Sequence, residues 1–149
     1  MTPNLPSVTI IRRLKAPPAR VYAALTEPRL MLQWWGPDAG PTLSADADVR
    51  PGGRFSVVFQ LENGQTHNPT GVYLEVVPAR KLVFTWEWPG MPERESRVTF
   101  LLEPIEGGTE LTLIHEQLPD DDARQSHADG WRGFLDQLLV FLGDPPWPT

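Results

Sequence analysis

Three histidines, His67, His115 and His127, are the side chains here whose ordinary titration falls near neutral pH, and there is no cysteine. His115 ends the alternation Leu111, Leu113, His115, which turns its imidazole to the face those leucines share. On that face it would orient a ligand, move a proton, or sit hydrogen-bonded within a core. His127 lies one helical turn before Trp131, where it either guards the mouth of a cavity or stands half-exposed and inert. His67 neighbours a turn and is given no role. Glu75 follows Tyr73 by two, so strict alternation places it on Tyr73's face. A carboxylate buried there needs a partner such as Arg54 or Arg97, or a raised pKa, unless that end of the strand reaches solvent.

Other catalytic signatures are missing. The sequence has no Gly-x-Ser-x-Gly elbow. Its histidines lack metal-ligand spacing. The turns Pro51-Gly52-Gly53 and Gly107-Gly108 lack the Lys-Ser/Thr that a phosphate loop needs. No catalytic residue, metal or cofactor is assigned.

The tryptophans carry a stronger signal. Five of the six fall in three segments: Trp34-Trp35, Trp86 and Trp88, and Trp131. Such rings bury on the order of 150–250 Å² each and make either a bulky core or the wall of an apolar cavity. The candidate ligand-binding set on the sheet is Phe55, Val57, Phe59, Tyr73, Phe84, Trp86, Trp88, Phe100, Leu113 and His115. The last helix adds Trp131, Phe134, Leu135 and Leu138, and Trp34 with Trp35 plugs one end or staples the short helices to the sheet.

These residues need elements to hold them. Val8–Leu14 is β-branched and reads as a first strand. Pro17-Pro18 opens a short helix through Val21, Tyr22 and Leu25, which Pro28 stops. A second short helix, Leu30–Trp35, ends at Gly36-Pro37. From Thr42 to Gln117 the apolar period is two. Leu43–Val49 is a weak strand; Phe55–Leu61, Gly71–Val77 and Leu82–Trp88 are stronger, with Asn63-Gly64 and Pro89-Gly90 as turns. Thr85 and Glu87 fall on the opposite, solvated face. Val98, Phe100 and Leu102 pair by pattern with Leu111, Leu113 and His115 across Glu106-Gly107-Gly108. The run amounts to about five consecutive antiparallel strands, plus the first.

Asp120-Asp121-Asp122 then places acid where a helix N-terminus favours it. Trp131, Phe134, Leu135, Leu138 and Leu142 follow on one stripe of a helix from Asp122 to Leu142, with Asp129, Arg132 and Asp136 on the other face. Gly143 and Pro145-Pro146 end it, and the tail 143–149 is expected to be loosely ordered. One sheet with one apolar face needs one cover. The fold class is therefore α+β: a curved antiparallel sheet wrapped around a long C-terminal helix, with two short helices after the first strand.

At 149 residues this fits a single domain, 1–149, with a core of about 8–142. The net charge of −6 and the lack of a basic block argue against nucleic acid. No apolar run approaches the roughly 18 residues of a membrane span. Met1–Ser7 has neither a basic nor an apolar region of signal-peptide type, and no cysteine occurs, so a cytoplasmic location is expected.

Several stretches resemble a known family. Ala16-Pro17-Pro18-Ala19-Arg20-Val21-Tyr22 through Pro28, then Gln33-Trp34-Trp35-Gly36-Pro37, is similar to the start of the activator-of-heat-shock-protein-90-ATPase-homologue domain. That domain belongs to the START-like, polyketide-cyclase-like helix-grip (SRPBCC) superfamily. Arg50-Pro51-Gly52-Gly53, Gly71-x-Tyr73-x-Glu75-Val76-x-Pro78, Leu82–Trp86, Gly108–His115 and Gly130-Trp131 agree in order, over about Val8 to Leu142. The resemblance implies a helix-grip fold and favours a cavity over a filled core, but it does not imply one activity.

Three functions follow as expectations. The first is non-enzymatic binding of a hydrophobic or aromatic small molecule between sheet and helix. The second is a cyclase- or dehydratase-type enzyme that uses His115 or Glu75 to transfer a proton. The third, implied by the family name, is a module that activates a chaperone ATPase. With one such domain and no evident docking segment, a chaperone partner is not expected, and a homodimer is left open.

Overall fold

The computed structural model describes residues 6–36, 38 and 40–143; the side chains of residues 92–94, and the tail expected beyond 143, fall outside that description. The chain runs β1 (Val8–Leu14), α1 (Pro18–Thr26), α2 (Pro28–Trp34), β2 (Thr42–Ala47), β3 (Arg54–Gln60), β4 (Thr66–His67), β5 (Thr70–Val77), β6 (Lys81–Trp88), β7 (Met91–Ile105), β8 (Gly108–Glu116) and α3 (Asp121–Leu142). The strands form one curved antiparallel sheet in the order β1-β8-β7-β6-β5-β3-β2, with two-residue β4 set against β3. The long helix lies against its inner face, in the α+β helix-grip arrangement.

The strand count exceeds the expected one because the weak Thr42–Ala47 segment pairs with β3, from Thr42 opposite Phe59 to Ala47 opposite Phe55, and because the two-residue β4, which has no apolar period to mark it, pairs with β3 as well. Pro28 does more than stop α1. It is the first residue of α2, where its missing N–H is harmless, so α2 starts two residues earlier than its apolar pattern suggests. The β7–β8 register follows the apolar alternation: Val98 faces His115, Phe100 faces Leu113 and Leu102 faces Leu111.

The inner face of these strands is mainly apolar, with Ser96, Thr109 and His115 as buried polar residues on it. Val57, Phe100, Leu113 and Leu138 are each fully buried, which stabilises by roughly 1.5–3 kcal/mol apiece. Gly71 permits one close approach. A Cβ there would lie 1.9 Å from the Thr85 carbonyl and 2.5 Å from the Phe55 ring, so only glycine lets that ring cross β5.

α3 begins at a real cap. The Asp120 carboxylate accepts from Ala123 N–H at 2.8 Å, and Asp121 and Asp122 follow in the first turn, so the helix begins at Asp121. Trp131, Phe134, Leu135, Leu138 and Leu142 are all buried. Phe134 ties the short helices to the sheet, with ring centroids 4.6 Å from Trp34, 4.8 Å from Trp35 and 6.2 Å from Phe100.

Candidate functional site

The packing of helix on sheet is uneven from end to end. Near the C-terminal half of α3 the rings close on one another. Near its N-terminal half, between the β3–β4 hairpin, the β6–β7 turn and α3, a hollow of about 480 Å³ remains. Four indoles border it, those of Trp35, Trp86, Trp88 and Trp131, together with the rings of Phe59 and Phe134. No Asp, Glu, Lys or Arg is among the described residues that line it.

Those six aromatic residues are the members of the sequence-selected set that reach the hollow. Trp34, Phe55, Val57, Tyr73, Phe84, Phe100, Leu113, Leu135 and Leu138 are buried in the packed core instead. Trp34 is anchored there by its indole N–H, which donates to the Ala24 carbonyl at 3.1 Å. Tyr73 is deep enough that burial, reinforced by Tyr22 and Asp48, pushes its phenol pKa up. Trp88 is only half-buried, because the β6–β7 register shifts between Trp86 and Trp88.

His115 points inward, as its strand parity requires, and is fully buried, but it does not border the hollow. Its Nδ1 accepts from Trp131 Nε1–H at 2.8 Å, and an indole nitrogen can only donate. The ring proton therefore sits on Nε2 and is donated to Ser96 Oγ at 2.6 Å. Ser96 in turn reaches the Trp86 carbonyl at 3.5 Å. Both nitrogens are satisfied by buried protein groups. Desolvation, with a smaller contribution from His127, lowers the His115 pKa to about 3. This is a neutral structural imidazole that joins β8, β7 and α3.

Glu75 also stands away from the hollow. A register shift between Tyr73 and Glu75 breaks the alternation, so Tyr73 is buried while Glu75 is exposed and pairs with Lys81 at 3.2 Å. Thr85 and Glu87, assigned to a solvated face, are partly buried and joined. Thr85 Oγ1 accepts from Val72 N–H and donates to Glu87, and Glu87 also pairs with Arg54 at 3.2 Å.

The polar edge of the hollow comes from other residues. His127 is half-buried on α3, and its Nδ1 lies 2.7 Å from the Ala123 carbonyl, which fixes the proton on Nδ1. Its Nε2 faces Trp88 Nε1–H at 3.4 Å. His67, half-buried on β4, stacks on Phe59 with centroids 5.7 Å apart and meets Trp88 edge-on at 5.9 Å. Asn68 beside it donates its amide to the Val57 carbonyl at 2.9 Å and Ser56 Oγ at 3.0 Å. Among the described residues one further donor is buried without an acceptor, Trp86 Nε1; the Trp86 ring centroid lies 4.9 Å from that of Trp131 and 5.8 Å from that of Trp88.

Residues 15–143 match the profile of the family described as Activator of Hsp90 ATPase homolog 1-like protein. The chain belongs to this family. No curated protein matches it at a comparable level. Among solved structures, the AHSA1 protein of Silicibacter pomeroyi is 29% identical with a TM-score of 0.80, over 92% of this chain and 97% of that one. A Chromobacterium violaceum protein is 28% identical with a TM-score of 0.79, over 91% and 96%. CalU16 of Micromonospora echinospora is 29% identical with a TM-score of 0.70, over 91% and 75%. Among the described residues of this AHSA1-like chain, no helix is long and apolar enough to cross a membrane, and no group of His, Asp or Glu is placed to hold a metal ion.

Sequence reasoning passed over His67, Asn68, Met91 and Ser126, all of which border the hollow. Strand β4 is two residues long, too short for any apolar period, so His67 carried no pattern. The usable signal was local. Asn63-Gly64 marks a hairpin, and a hairpin returning on Phe59 must bring residues near 67 beside it.

Proposed function

We propose that this AHSA1-like protein binds a small, largely aromatic molecule in the hollow between the β3–β4 hairpin, the β6–β7 turn and α3. The observation that carries this reading is the set of four indoles and two phenyl rings that border about 480 Å³ of open space. That volume lies within the range typical of small-molecule sites, which pair an apolar wall with a few polar groups. The AHSA1-like fold commonly binds hydrophobic ligands, which supports the reading. His115 and Glu75 lie outside the hollow, and this favours binding over the proton-transfer chemistry for which they were candidates.

Titrating the protein with naphthalene, followed by tryptophan fluorescence, tests it. The expected result is saturable one-to-one quenching that Ser126→Trp, at an exposed position on the rim, abolishes. Quenching that fails to saturate, or that survives Ser126→Trp unchanged, overturns the reading.

A further inference from the structure

One wall of the hollow carries a buried donor that no described residue receives. Trp86 borders the space, and the residue is 5% exposed. Its Nε1–H meets no acceptor among the described residues. Neighbouring indoles are served differently. Trp34 donates to the Ala24 carbonyl at 3.1 Å, Trp131 donates to His115 at 2.8 Å, and Trp88 faces His127 at 3.4 Å. Buried polar groups are almost always paired, and a lone donor in such a place needs an account.

The surroundings narrow what could receive it. The rings of Phe55, Phe84, Trp88, His115 and Trp131 stand with centroids 4.9 to 6.5 Å from that of Trp86. A ring face is a weak acceptor. A trapped water needs about two to four polar partners. Here both His115 nitrogens are already bonded, to Trp131 and to Ser96. An oxygen carried on an aromatic guest needs only the one donor, because the rest of the guest supplies apolar contact. The Trp86 ring borders the hollow while its nitrogen is covered, so a neighbour must yield before an oxygen reaches it. Trp88 is placed to do so. It is half-buried, stands at 88° to Trp86, and its own N–H contact is stretched to 3.4 Å. Side-chain rotamer changes of this kind are common on binding.

We infer that the guest is an aromatic molecule bearing a carbonyl oxygen, an aryl ketone or aldehyde, and that this oxygen accepts from Trp86 Nε1–H. This rests on the binding reading above and adds the group by which the site selects among flat guests of equal size. Apolar area drives entry for all of them. A hydrocarbon guest leaves the Trp86 donor buried and unpaired, whereas a carbonyl guest pairs it.

Three probes test this on the full chain: naphthalene, 2-acetonaphthone and 2-isopropenylnaphthalene. The last two share one shape and differ in C=O against C=CH2. The ratio of ketone to alkene affinity, measured by calorimetry, should fall by about 10-fold in Trp86→Phe, equivalent to about 1.4 kcal/mol. In Trp88→Phe, which also loses an indole but keeps Trp86, the ratio should stay within about 2-fold, and circular dichroism checks the fold of both variants. A second readout needs no variant. In the unmodified protein the Trp86 indole N–H resonance should move downfield on saturation with the ketone and not with the alkene. A ratio unchanged by Trp86→Phe, a fall just as large in Trp88→Phe, or a Trp86 resonance that does not distinguish ketone from alkene overturns the inference. So does a water cross-peak on the Trp86 N–H of the ketone-saturated protein. If naphthalene binds and the ketone is not distinguished, only this inference fails. If no probe binds, the binding reading fails and this inference with it.

Discussion

His115 and His127 stand edge to face with ring centroids 4.8 Å apart, yet they belong to different regions of the molecule. His115 lies behind Trp131, where β7, β8 and α3 meet, with a protein partner on each nitrogen. His127 lies at the open end, one helical turn before Trp131, with its proton fixed on the helix backbone and its lone pair toward Trp88 and the hollow. The same side chain is a structural strut in one place and a lining residue of the hollow in the other. What separates them is burial: His115 is fully buried, whereas His127 is half-buried. The tryptophans divide in the same way: Trp131 is buried with its N–H held, whereas Trp88 is half-buried at the rim.

The largest test of this division is Trp131→Ala. It removes a buried ring and leaves His115 Nδ1 without its donor, so a loss of roughly 3–5 kcal/mol is expected from urea denaturation. A loss below about 1 kcal/mol would mean that the ring is not packed against His115 and the sheet.

His115→Gln should cost about 1–3 kcal/mol, and it carries a pH signature. Burial holds the folded-state pKa at about 3, against an ordinary value of 6.5, so the unfolded chain protonates first. Between those values the unfolded state binds more protons. Stability from this residue therefore falls as pH drops below about 6.5 and is flat above it, with a slope of at most about 1.4 kcal/mol per pH unit. The carboxylates common to both proteins cancel in the difference between wild type and His115→Gln, which should show that slope. A pH-independent difference would place His115 in contact with water.

Trp88→Ala should reverse the balance seen at Trp131. A half-buried rim ring costs little in stability, under about 2 kcal/mol, while naphthalene affinity should fall by about 10-fold or more. Unchanged affinity would remove the rim from the site. At the small end, Glu75→Ala breaks only an exposed pair with Lys81 and should change stability by about 0.5 kcal/mol or less. A larger change would mean that the carboxylate is engaged more deeply than its exposure indicates.

The fold was readable because period-two and helical apolar patterns are long-range consequences of burial. Leu111, Leu113 and His115 face inward as their alternation requires, and Trp131, Phe134 and Leu138 share one buried stripe. Parity failed where the backbone slips. The register shift after Tyr73 sends Glu75 to solvent, and the shift near Trp88 leaves that ring only half-covered. The site was less readable than the fold because an inward-facing ring does not reveal whether it meets another ring or a space. Phe100 and Trp86 follow the same alternation, but Phe100 is packed behind Trp131 and Phe134 while Trp86 borders the hollow. That difference is set by how α3 crosses the sheet, which no local pattern encodes.

The central claim, that the open end is where a guest is held, is tested most directly by the indole N–H resonances of the protein during titration with 2-naphthol. Trp88 and Trp131 should show saturable shifts with a common dissociation constant, while Trp34, whose N–H is anchored on the Ala24 carbonyl in the core, should move least. Saturable shifts that are largest at Trp34, or no saturable shift at Trp88, would contradict the account.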